Sequence, residues 1–167
     1  MAQDRLIYLP LGGAGEVGMN CYVYGYGKPG QERFIVVDLG VTFPDMDSSP
    51  GVDLILPDVD FLEACRDRIE AIFITHAHED HVGAVGHLWG RLKAPVYARA
   101  FTAHIARRKM EEQGQNPEQD HLGQRAAIFE AGTGRPAVLA GPDPVALVAA
   151  LDTRQPLVRA LVGLHRG

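Results

Sequence analysis

The sequence predicts an α/β (α+β) fold, and three observations carry that prediction. Near the N-terminus, three apolar or alternating runs are separated by short turns, which suits an antiparallel meander. Beyond residue 60, short buried runs alternate with segments of helical period, which suits strand–helix units. The chain has 167 residues, 46% of them apolar and 22% charged, enough for one domain with a real core and ordinary for a globular protein.

Arg5 to Leu11 is apolar and reads as a strand. Asn20 to Tyr26 alternates and is rich in Tyr and Val, again a strand, and Gly27-Lys-Pro-Gly30 is a turn. Arg33-Phe-Ile-Val-Val-Asp38 is a buried strand ending in an acid. The stretch from Gly40 to Pro57 is irregular and too long for a plain connection, so it is expected to be functional. Asp58 or Asp60 is positioned to cap a helix running to about Arg68. Ala71-Ile-Phe-Ile-Thr75 is a short buried strand. Asp80 to Leu92 reads as one helix, with Val82, Val85, Leu88, Trp89 and Leu92 as its apolar stripe. Pro95 to Ala98 is a further strand, and Phe101 to Gln113 a helix carrying the basic patch Arg107-Arg-Lys109.

Past about Pro117 the character changes. The tail contains no Lys, Tyr, Trp or Asn and is rich in Ala, Gly, Pro, Arg, Leu and Val. A helix from Asp143, with Pro144 in its first turn, to about Leu151 is expected, and a short element over Gln155 to Leu164. The chain therefore divides into residues 1–117 and an atypical tail, 118–167.

A formal charge of −5 gives no basic footprint, so bulk electrostatics over this chain would not hold a nucleic acid. The first residues include an early acid and no long apolar stretch, which argues against a secretory signal. No apolar run approaches the ~20 residues that span a membrane. Two cysteines, Cys21 and Cys65, cannot build a disulfide framework and read as free thiols in a reducing cytoplasm.

Leu9-Pro-Leu-Gly-Gly-Ala-Gly-Glu-Val-Gly18 follows a strand and contains G-x-G-x-x-G at Gly13, Gly15 and Gly18, with Asp38 20 positions on. A dinucleotide site needs a helix straight after these glycines, whose N-terminus binds the pyrophosphate. Here a strand and turn follow, leaving no room for a crossover helix, so no dinucleotide cofactor is expected. The glycines instead permit a tight turn that forms one lip of a site centred elsewhere.

That centre is Thr75-His-Ala-His-Glu-Asp-His81, an H-x-H-x-D-H pattern after a buried strand and before a helix. Imidazole nitrogens and carboxylate oxygens suit zinc. His76 and His78 can reach one ion; Asp80 and His81, where the helix starts, can face a second. Crowded imidazoles would repel one another whenever protonated, which argues against a chance surface loop. Two adjacent ions acidify a water and clamp the oxygens of a displacement, so hydrolysis is the natural class, with Asp80 a candidate for a direct role in it. Asp38, at a strand end, can orient a ligating histidine from behind or serve as a turn-stabilising acid. His87 and His104 read as structural or exposed; His121 and His165 lie in the tail.

Thr75 to His81 resembles the metal loop of the metallo-β-lactamase superfamily. Leu11-Gly-Gly-Ala-Gly-Glu-Val-Gly-Met-Asn20 resembles the N-terminal turn of its beta-CASP nucleases. Val37-Asp-Leu-Gly-Val-Thr-Phe-Pro44, Gly51-Val-Asp-Leu-Ile-Leu-Pro-Asp58 and Gly83-Ala-Val-Gly86 are similar to the ribonuclease J family. The resemblance runs from about Leu6 to Gly114. It implies the N-terminal half of an αββα sandwich and two Zn2+ ions, one on His76 and His78, the other on Asp80 and His81. It also implies an RNA substrate, cut from the 5′ end or internally, a cytoplasmic location and a homodimer. Thioester or lactam hydrolysis on the same scaffold is the competing activity, and a metal-binding fragment without catalysis is the third reading. The family also supplies a later His-Ser motif, a bridging aspartate and a distant histidine, and none follows Gly114 here. The chain thus reads as a truncated or frameshifted member whose sheet leaves one face and one edge exposed.

Overall fold

β1 (Arg5–Gly12), β2 (Cys21–Gly27) and β3 (Arg33–Val37) form the expected antiparallel meander. The computed structural model describes residues 3–45, 47, 49–116 and the backbone of 128–130. The sheet continues in parallel through β4 (Ile69–Ile74), β5 (Val96–Ala98) and β6 (Ile128–Glu130), six strands in sequence order. β6 was not expected from the sequence and lies in the compositionally odd tail. The expected elements over 143–151 and 155–164 fall outside the described residues.

Alternation decides the two faces. Val23, Phe34, Val36, Ile72, Ile74 and Val96 point to one side. There they meet Leu62 of α1 (Asp60–Ala64), Val85, Leu88, Trp89 and Leu92 of α3 (Val85–Leu92), and Ala103, Ala106 and Met110 of α4 (Ala100–Glu112). Trp89 is fully buried, and its indole N–H donates to the Ala94 carbonyl at 2.9 Å, so the largest core residue carries no unmet donor. The opposite face holds Ile35, Ala71 and Phe73 with Tyr24, Tyr26, Val37 and Tyr97. The expectation of a bare face is corrected here: Ile35, Ala71 and Phe73 are buried, while Tyr8 remains half-exposed.

Two helix expectations also change. The cap of α1 is Val59, with no side-chain cap bond; Asp58 Oδ1 instead accepts the Asp60 N–H at 2.9 Å, a turn just upstream. α1 stops at Ala64 and gives way to a 3-10 turn, Arg66–Arg68. The helix expected over 80–92 is two helices, α2 (Glu79–Val82) and α3, broken at Gly83-Ala84. The cause is tertiary. An unbroken helix would bond the Ala84 N–H to the Asp80 carbonyl. Instead the Ala84 N–H goes to Leu39 O (2.9 Å), and Asp80 O accepts the Asn20 N–H (2.9 Å). The chain following β3 inserts where one helical bond would be. Among the described residues no helix is long and apolar enough to cross a membrane.

Candidate metal centre

Three segments meet at one edge of the sheet. β3 and β4 run parallel, so Asp38 and Thr75 emerge at the same edge, and antiparallel β2 begins there after Asn20. Ligands in open α/β sheets bind outside such carboxyl ends. Residues 38–41 lace the segments together: Asp38 N–H to Phe73 O (2.7 Å), Leu39 N–H to His81 O (2.9 Å), Gly40 N–H to Asn20 O (2.9 Å) and Val41 N–H to Glu79 O (3.0 Å). This crossing is why position 40 is glycine. A Cβ there would fall on the Asp80 carbonyl oxygen and lie 2.8 Å from Asn20 N. Gly18 answers the question of the glycine run: its φ is +98°, and a Cβ would lie 2.7 Å from Thr42 Oγ1. The run serves a turn between two strands and delivers Asn20 to the site.

Asp38 is 2% exposed, a buried carboxylate with φ +66°. Its oxygens accept the Thr75 N–H (2.7 Å), the Thr75 hydroxyl (3.0 and 2.9 Å) and His81 Nδ1 (2.7 Å). Burial of an anion requires such satisfaction. A carboxylate can only accept, so His81 Nδ1 carries a proton; in the neutral ring that leaves the lone pair on Nε2, the state a metal ligand needs.

His81 Nε2 lies 3.3 Å from Asp80 Oδ2. Two donors each about 2.0–2.1 Å from a tetrahedral zinc sit roughly 3.4 Å apart, so this pair is spaced to share one ion. The His76 ring lies 4.7 Å edge-on from His78 and 3.9 Å from His81, centroid to centroid. The four side chains singled out in the sequence are thus gathered rather than scattered. Burial, then the neighbouring His81 and His78 rings, hold the His76 pKa below the ordinary imidazole value, which favours the neutral form. Among the described residues, however, no three His, Cys, Asp or Glu side chains are arranged to hold one ion together. The donor chemistry suits zinc, but among the described residues fewer than three such donors converge on any one point.

The sequence assigned no role to Asn20, which the structure puts inside the site. Its Nδ2 donates to Asp80 O (3.0 Å) and Asp80 Oδ2 (3.2 Å) and lies 3.2 Å from His81 Nε2. The Tyr22 hydroxyl donates to Asn20 Oδ1 at 2.9 Å, which fixes the way the amide points. The clue was its place at the end of the glycine run, one residue before a strand. Glu79, within the histidine motif, is held by Lys109 of α4 at 2.8 Å. His87 and His104 are exposed on α3 and α4, outside the cluster. His121 and His165 lie outside the described residues. Both cysteines are free and buried, and burial pushes the Cys21 thiol up to about 12, assisted by the Asp38 charge.

Comparison with known proteins adds a second line. The profile of the metallo-beta-lactamase superfamily matches residues 14–165. Ribonuclease J of Sinorhizobium meliloti is 57% identical over 110 residues, 65% of this chain and 19% of that protein. Ribonuclease J of Mycolicibacterium smegmatis is 42% identical over 135 residues, 78% of this chain and 23% of that protein. Ribonuclease J2 of Bacillus subtilis is 36% identical over 117 residues, 70% of this chain and 20% of that protein. The chain spans about a fifth of the length of these curated relatives.

Proposed function

We propose, because this chain belongs to the metallo-beta-lactamase superfamily, that it contributes to zinc-dependent hydrolysis of RNA phosphodiester bonds. The observation that carries the metal part is the 3.3 Å separation of His81 Nε2 and Asp80 Oδ2, with the other nitrogen of His81 held by a buried carboxylate. The RNA part is supported by the relatives, which are named ribonuclease J.

In this reading Asp80 and His81 hold one zinc, and His76 and His78 hold the other. Bound zinc supplies an acidified water and a positive clamp for phosphate oxygens. The chain's own residues do the rest. Asp38 fixes the His81 ring through Nδ1, and Asn20 restrains the Asp80 carboxylate. Lys109 holds Glu79, and with it the loop between the two ligand pairs. With a formal charge of −5, the chain gains most of its attraction for a polyanion from the bound cations.

A second reading has one observation in its favour: no three donors among the described residues converge on one point. On that reading the chain binds metal without turnover. Zinc content per chain, measured beside an assay on 5′-monophosphorylated RNA, separates the two. Two zincs per chain with RNA cleavage supports the nuclease; substoichiometric zinc without cleavage supports the second reading. Turnover of small thioesters or lactams in place of RNA would move the substrate assignment to another branch of the superfamily.

A further inference from the structure

The Thr75 hydroxyl stands between Asp38 and His76. Thr75 Oγ1 is 3.0 Å from Asp38 Oδ1, 2.9 Å from Asp38 Oδ2 and 3.0 Å from His76 Nδ1. A hydroxyl has one proton and two lone pairs. If that proton went to His76 Nδ1, the hydroxyl oxygen would press its lone pairs on both oxygens of a buried carboxylate. The carboxylate cannot supply a proton in return, so the hydroxyl proton must go to Asp38. His76 Nδ1 then has an acceptor beside it and must be the donor.

We propose that Thr75 is a positioning residue that passes the demand of the Asp38 carboxylate on to His76, fixing its proton on Nδ1 and leaving Nε2 bare to meet a metal. One buried anion thereby sets two imidazoles: His81 directly at 2.7 Å, and His76 through a single hydroxyl. The two ring centroids lie 3.9 Å apart. His78 differs, since among the described residues no side chain holds its ring by a hydrogen bond. The role rests on the metal-binding reading above, but the tautomer it dictates exists without any metal.

The test is a long-range 1H–15N spectrum of the histidine side chains in the full chain, freed of metal with a chelator, at a pH well above the imidazole range. Single His→Ala variants assign the signals of the seven histidines. His76 and His81 are expected as Nδ1–H tautomers. Thr75→Val should release His76 to a mixture while His81 keeps its tautomer, and that retained signal also shows that the fold survives. Thr75→Ser, which restores the hydroxyl, should return His76 to Nδ1–H. In parallel, zinc affinity read by competition with a chromogenic chelator should fall about 10- to 100-fold in Thr75→Val and recover in Thr75→Ser. A wild-type His76 protonated on Nε2, or a His76 tautomer unmoved by Thr75→Val, overturns the proposal. If the tautomers behave as stated and the wild-type chain takes up no zinc, the metal-binding reading fails and the role of Thr75 stands.

Discussion

Replacing Asp38 by Asn keeps the shape of the most heavily used side chain in the site and removes its charge. Asn accepts the left-handed backbone required by φ +66° as readily as Asp, so the backbone has no reason to move. The hydrogen bonds do. Oδ1 can still accept the Thr75 N–H at 2.7 Å, which puts an NH2 group where Oδ2 faced His81 Nδ1 at 2.7 Å and the Thr75 hydroxyl at 2.9 Å. Two N–H donors cannot face each other at that distance. His81 must shift its proton to Nε2 and accept at Nδ1, which removes the lone pair that a metal would use.

Two magnitudes follow. Three charge-assisted contacts become neutral ones, at a loss of about 1 kcal/mol each, or some 3 kcal/mol of folding stability. Zinc affinity should fall about 10- to 100-fold, the usual effect of losing a partner behind a ligating histidine. Urea unfolding of the metal-free chain measures the first, and competition with a chromogenic chelator the second. The chain's single tryptophan, buried Trp89, gives the unfolding signal. If Asp38→Asn binds zinc within twofold of wild type while remaining folded, the assignment of Asp38 as the group that orients His81 is wrong.

Gly40→Ala places a methyl group on the Asp80 carbonyl oxygen. Because the obstacle is backbone, the cost should reach about 3 kcal/mol, the upper end for overpacking, read by the same urea titration. Cys21 is expected to resist alkylation in the native chain at mildly alkaline pH and to react once denatured. Its folded pKa of about 12 lies above the ordinary 9.0. Between those values the unfolded thiol has lost a proton that the native one keeps. Stability should therefore be unaffected by this group below the ordinary value and fall as pH rises through the window, by at most about 1.4 kcal/mol per pH unit. Phe43 is 65% exposed on the loop that Thr42 ties to Val17. If RNA crosses this lip, Phe43→Ala should weaken binding of a short single strand about tenfold, the loss of one stacked base, and leave zinc affinity unchanged. Fluorescence anisotropy with labelled RNA checks it.

The meander and the apolar stripe were legible because their signals are local. The apolar runs of β1 and β3, the alternation of β2 and the Val85-Leu88-Trp89-Leu92 stripe each declare themselves within a dozen residues. The candidate ligands stand out for the same reason, being packed into His76 to His81. Asp38 is suggested by its place at a strand end, but that its partner is His81, 43 positions on, is decided by the fold. What the sequence hid outright is Asn20, which reaches Asp80 across 60 positions. Nothing in the immediate neighbourhood of Asn20 reports that the glycine turn will carry it to a histidine loop.

The break between α2 and α3 follows from the same division. Helical period alone favours continuity from Glu79 to Leu92, and local propensity would permit it. The sheet imposes a different demand: after β3 the chain must satisfy the N–H and C=O groups of residues 38–41 at a buried edge. Taking the Ala84 N–H for Leu39 O, and the Asp80 carbonyl for the Asn20 amide, meets that demand at the expense of one helical hydrogen bond. The helix is therefore shortened at the point where its first turn must hold Asp80 and His81 still. A continuous helix would leave Asp80 O with its intrahelical donor, and Asn20 would lose the anchor that sets it 3.2 Å from both Asp80 Oδ2 and His81 Nε2. The irregularity and the site are one structural event: the histidine motif announces the candidate ligands, while periodicity, which sees only regular elements, misses the framework that aims them.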